Sequence, residues 1–141
     1  MIEGAMVARF IRAALVADAG AGGVNTLVGG RIFRSRVPQA KDLPAVTIHV
    51  ISQPDHNTAT GRHVYQDVQV DVAVRGDGED YGPILPVAER IFAVLQGLSG
   101  VQDGVSVVKL RRVNSAELMN TVQGHTFAHL IQTFLTEAVP T

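Results

Sequence analysis

Val64-Tyr65-Gln66-Asp67-Val68-Gln69-Val70-Asp71-Val72-Ala73-Val74 decides the fold. Val64, Val68, Val70, Val72 and Val74 share one parity, interrupted only by Gln66. Tyr65, Asp67, Gln69, Asp71 and Ala73 share the other. Successive side chains of an extended chain point to opposite faces, so this is a strand with one apolar and one polar face. A sheet with a solvated face is antiparallel rather than a parallel sheet covered on both sides.

Upstream, Val46, Ile48 and Val50 alternate with Thr47, His49 and Ile51, which predicts a strand over 45–52. The polar run Gln53–His63, with Pro54, Asn57 and Gly61, reads as a flexible hairpin loop, longer than a hairpin needs. Residues 2–17 predict a helix. Ile2, Met6, Phe10 and Ala14 recur at spacing four, with Val7, Ile11 and Leu15 beside them. Residues 18–44 form a long connection punctuated by Pro38 and Pro44, with a short strand near Arg31–Ser35.

Downstream, Gly76–Asp80 is a turn, with Asp80 placed to cap a helix and Pro83 in its first turn. Ile84, Leu85, Ala88, Ile91, Phe92, Leu95 and Leu98 keep helical spacing until Gly97 and Gly100 end it. Val105–Val113 and His125–Glu137 predict two more strands. The polar segment Asn114–Gly124 between them is a loop or a projecting hairpin tip. The expected architecture is α+β: an antiparallel sheet of about four strands with two helices packed on one face. Residues 1–141 are expected to form a single domain.

Composition narrows the function. Apolar residues make up 46% of the chain and charged residues 18%, too apolar for a disordered protein. No stretch approaches the ~20 apolar residues of a membrane span, so no membrane is expected. Glu3, Arg9 and Arg12 break the apolar residues near the start, so no secretory signal is expected. With no cysteine, disulfides, thiolate metal sites and a cysteine nucleophile are excluded, which fits a reducing cytoplasm. A formal charge of −1 leaves no global field for nucleic acid. Aromatic residues are 5% with no tryptophan, which argues against a base-stacking platform.

No local motif carries chemistry. Gly20–Gly23 and Gly29–Gly30 follow a helix and lack the Gly-Lys-Ser/Thr ending of a phosphate loop, so they read as turns. His56 and His63 share a polar loop without a recognised ligand spacing. On strands, His125 and His129 lie about 13 Å apart, as do Asp67 and Asp71, too far for one metal or a glycosidase carboxylate pair. Arg75-Gly76-Asp77 spells a cell-adhesion tripeptide by chance. No metal, cofactor or catalytic residue is expected. The charged groups suited to a protein interface are Arg31, Arg34 and Arg36, then Asp55, His56 and Arg62 of the polar loop. Tyr65, Asp67 and Asp71 on the polar strand face and Arg111 and Arg112 complete the set.

The segment order resembles a family. An amphipathic helix leads to Leu27-Val28-Gly29-Gly30-Arg31-Ile32-Phe33, and Leu43-Pro44-Ala45-Val46-Thr47-Ile48 opens a strand ending in Ser52. The Val64–Val74 strand, a helix ending in Leu95-Gln96-Gly97-Leu98 and two C-terminal strands follow. This is similar to the tail terminator, or tail completion, proteins of long-tailed bacteriophages. The resemblance implies a virion component assembled in the host cytoplasm. It implies a homo-oligomer, a hexameric ring on the head-proximal end of the tail tube. Its expected partners are the tube protein and the head-side connector or stopper, with passing contact to DNA in the lumen left open. It carries over no catalytic residue. Two readings compete with it. One is a head–tail joining or stopper protein of the neck. The other is a small α+β ligand-binding domain or enzyme, which needs His49, Tyr65 or His129 gathered in a pocket.

Overall fold

The valine strand is the spine of the structure, a computed structural model that describes residues 3–34, 43–57 and 63–140. It is longer than its alternation: β4 runs His63–Asp77. Val68, Val70, Val72 and Val74 have no exposed surface. Burying each contributes about 1.5–3 kcal/mol, enough to fix which face of the sheet looks inward.

Among the described residues the sheet has seven strands, larger than the expected four. The four expected strands are present. β2 (Ala45–Ser52), β6 (Val105–Val122) and β7 (His125–Pro140) join β4 in an antiparallel array. Three short strands add to it: β1 (Ile32–Arg34), β3 (Asp55–Asn57) and β5 (Gly100–Gln102). The order is β1-β2-β4-β7-β6-β5, with β3 pairing to β4 beyond the end of β2. Strands of three residues are too short to show a period, which is why only β1 was legible.

The helices are α1 (Glu3–Ala17), α2 (Val24–Leu27) and α3 (Leu85–Leu95). α1 buries Val7, Ile11 and Leu15 completely, one per turn, while Met6, Phe10 and Ala14 flank them half-buried. α3 buries Val87, Ala88, Ile91 and Leu95. Both helices pack on the valine face of the sheet. α2, unforeseen in the long connection, buries Val24.

Two local expectations change, and a third is decided between its two alternatives. First, Gln53–His63 is not wholly loop. Asp55–Asn57 continues the ladder on β4, and the Pro54 carbonyl accepts from the Asp67 amide at 3.1 Å. The rest of that run up to residue 62 lies outside the described residues. Second, α3 starts later than Pro83. Asp80 instead accepts from the Gly82 amide at 2.8 Å and shapes a turn, and Pro86 falls in the first helical turn, where a missing N–H costs little. Third, of the two alternatives for Asn114–Gly124 the structure has the projecting hairpin tip rather than the loop, because β6 continues to Val122. The two-residue turn Gln123-Gly124 has φ of 53° and 77°, the paired positive values of a type I′ hairpin.

Candidate assembly surfaces

Three surfaces remain beyond the core, and each follows from strand parity. The first is the sheet face turned away from the helices. Cross-strand register places His49, Asp71, Thr133 and Asn114 in one row, and Ala45, Arg75, His129 and Leu118 in another. Asp71 accepts from the Thr133 hydroxyl at 2.6 Å. The centre of this face is covered, with Thr47, Ala73 and Thr133 all buried. Tyr65, Asp67, Gln69 and Asp71 are half-buried rather than freely solvated.

The second surface is the hairpin of β6 and β7, which projects as an arm. β4 accompanies β7 only as far as the Asp77–Phe127 pair, so the ribbon beyond it has two strands. All residues from 111 to 125 are exposed. The root of the arm is clamped on both faces by an arginine lying on a phenylalanine. On the open face the Arg75 guanidinium sits 3.9 Å from the Phe127 ring centre. The His125 ring stands 4.7 Å from the same ring and is hydrogen-bonded to Asp77. That bond holds the Asp77 carboxyl below its ordinary pKa. Burial, and then the charge of Arg75, push the His129 pKa down. On the helix face Arg112 lies 4.0 Å over Phe92 of α3. Such stacking contributes about 0.5–1 kcal/mol at exposed positions.

The third surface is a recess of about 540 Å³ between α3 and the arm root. Leu85, Ala88 and Leu130 give it apolar walls, and Ala116 and Ile131, which belong to the open face by register, also border it. Arg112 is fixed inside it. Its Nη1 donates to Gln132 Oε1 at 3.0 Å, and its backbone amide donates to Gln96 Oε1 at 2.8 Å. Gln132 is itself buried and donates from Nε2 to the Ala88 carbonyl at 2.8 Å. Glu89 and Glu117 also line the recess. His49, Tyr65 and His129 do not line this recess. Among the described residues no group of three or more His, Asp or Glu is arranged to hold a metal ion.

The family described as Tail completion protein gp17 matches residues 9–136. The chain belongs to this family. The resemblance drawn from segment order therefore holds for a tail completion protein matched over nearly its whole length. Among solved structures, a chain described as "Virion of native gene transfer agent (GTA) particle" is similar. It is 18% identical, with a TM-score of 0.73, covering 92% of this chain and 91% of that one. At that identity the likeness concerns the fold. No curated protein matches the chain.

The interface residues expected from sequence are scattered over this tail completion protein. Tyr65, Asp67, Asp71 and Arg111 share the open face by register. Arg112 lies on the other face, in the recess. Arg31 and Arg34 stand near the far edge of the sheet and serve their own chain. Arg31 Nε donates to the Pro44 carbonyl at 3.0 Å, and Arg34 Nη1 to the Ile48 carbonyl at 3.0 Å. Asp55 and His56 lie in β3 opposite Gln66 and Tyr65. Arg36 and Arg62 fall outside the described residues. Sequence reasoning missed Arg75, Phe127, Leu85 and the apolar arm residues. One available signal was the charge-free run Leu118-Met119-Asn120-Thr121-Val122-Gln123-Gly124 between two strands.

Proposed function

We propose that this protein is a structural tail terminator. It forms a hexameric ring on the head-proximal end of a phage tail tube, stops tube polymerisation and joins the tail to the head-side connector. The observation that carries this reading is the family match over residues 9–136. A head-to-tail ring needs two different patches on each subunit, and the arm and the recess are two such patches. The half-buried open face with Tyr65, Asp67 and Asp71, together with Arg111, is available to the tube protein, the connector or DNA in the lumen. The proposal requires no catalytic group or cofactor.

Deleting the gene and imaging the particles tests the reading. A terminator's loss gives overlong or unstable tails. A head–tail joining or stopper protein's loss gives tails of normal length beside unattached filled heads. Native mass spectrometry of the purified protein with tubes supplies the second arm, and a strictly monomeric chain that never associates with tubes sinks the proposal.

A further inference from the structure

The arm exposes apolar groups on both of its faces. Val113, Leu118, Met119 and Val122 are 48%, 51%, 40% and 47% exposed. Alternation along β6 puts Leu118 on the open face and Met119 on the helix side, so no single layer of protein covers both. The outer edge of β6 is free as well. β5 pairs only with Val105, Ser106 and Val107, and among the described residues no strand continues that ladder toward Val122. An isolated two-stranded ribbon is marginal in water, and a free edge with apolar side chains is a ready template for another chain.

The recess has the complementary character. Its apolar walls include Leu85, which is 48% exposed. Its charged liners are of mixed sign, Arg112 against Glu89 and Glu117. A charged insert of either sign meets a like charge there, whereas residues 118–124 carry none. The tip does not fill its own recess. Val122 lies five residues beyond Glu117, about 17 Å along the ribbon and away from the recess.

We propose that the arm of one copy docks in the recess of the next. Leu118 and Val122, which share the open face of the ribbon, meet the apolar walls, and the remaining donors of Arg112 meet carbonyl oxygens on the free edge of the incoming ribbon. The contact is heterologous, the kind that closes into a ring. The eight exposed residues 118–125, none of which lines the recess, supply about a third of the roughly 20–30 residues that one side of a standard interface uses. This inference rests on the ring reading and names its subunit contact.

The absence of native cysteine makes the test clean. Leu85→Cys and Val122→Cys are placed on separate, differently tagged copies, co-produced and treated with a short bismaleimide. The expected product is a cross-linked pair containing one copy of each variant, absent when either variant is produced alone. A wild-type ring with no such pair, or Val122→Cys coupling mainly to itself, overturns the docking while leaving the ring reading standing. A wild-type chain that is monomeric and yields no pair overturns both. As a second readout, Leu118→Glu, on the same face as Val122, weakens self-association at least tenfold at unchanged melting temperature. Rings of this variant persisting at wild-type concentrations overturn the proposed contact.

Discussion

Arg90 meets Asp18 with two hydrogen bonds, Nε to Oδ2 and Nη2 to Oδ1, both 2.8 Å long. The same carboxylate accepts from the Val24 amide at 2.9 Å. One side chain just beyond α1 thus ties the start of α2 to the solvent side of α3. The bond from Arg90 holds the Asp18 carboxyl below its ordinary value, against the opposing effect of burial.

Because the folded pKa is depressed, Asp18 contributes its stability above its unfolded value of 3.8 and loses it as pH falls through the lower folded value. Asp18→Asn is expected to cost about 1–2 kcal/mol at neutral pH, since the pair is partly solvent-screened. It also flattens the loss of stability below about pH 4. Urea unfolding of both proteins at neutral and acid pH measures this. Parallel losses in the two proteins on acidification contradict the role given to Asp18.

His129 makes the opposite demand at milder pH. Its Nε2 and the Nε of Arg75, its partner across β4 and β7, are both buried without a hydrogen-bond partner. Burial, and then the neighbouring guanidinium, push the imidazole pKa down from 6.5. The unfolded chain therefore takes up a proton before the folded one does, and stability falls as pH drops below about 6.5. His129→Gln keeps a polar side chain and removes the titration. The variant's stability is expected to vary less between about pH 7 and pH 5 than the wild type's. Equal slopes in chemical denaturation over that range contradict it.

Where the pattern was clean, the sequence was enough. The valines of β4 and the Val7–Ile11–Leu15 stripe of α1 are legible because burial on one face imposes a period. The arm was legible only as one of two alternatives for the same reason. Both faces of residues 114–122 meet solvent, so no alternation is imposed to separate a hairpin tip from a loop. The bulge after Val108 hid another feature. Lys109 takes φ of 35°, and Leu110 leaves the β7 ladder, exchanging backbone hydrogen bonds with Gly97 and Leu98 while its side chain enters the core. The Arg75–Phe127 clamp joins positions far apart in sequence, and no local pattern announces it.

Gly76 marks a close approach of β4 to the segment leading into α3. A Cβ added there would lie 2.6 Å from Ile84 Cγ2, and Ile84 is fully packed at 1% exposed. Neither side has room to yield without moving the segment ahead of α3. Gly76→Ala is expected to destabilise the fold by about 1–3 kcal/mol, the usual range for overpacking. Ile84→Leu in the same chain takes away the β-branch methyl that the new Cβ meets and returns part of that loss. Thermal melts of the single and double variants decide it, and a Gly76→Ala protein with wild-type stability contradicts the packing.

Gln132 joins α3 to the arm. Its Nε2 satisfies the Ala88 carbonyl and its Oε1 holds Arg112, which itself lies on Phe92. Gln132→Leu keeps the bulk but leaves the Ala88 carbonyl without this donor and frees the guanidinium. The Ala88 carbonyl keeps its helical partner inside α3, so the expected cost is about 0.5–1.5 kcal/mol, that of one lost hydrogen bond. Arg112→Ala alone removes the stacking and one hydrogen bond at a rim open to water, so its cost is smaller. The two side chains touch, so their effects are not independent. A double-mutant cycle is expected to show a coupling of about 0.5–1.5 kcal/mol, with the double variant less destabilised than the sum of the singles. Strict additivity would mean that Gln132 supports α3 alone and does not position Arg112 in the recess.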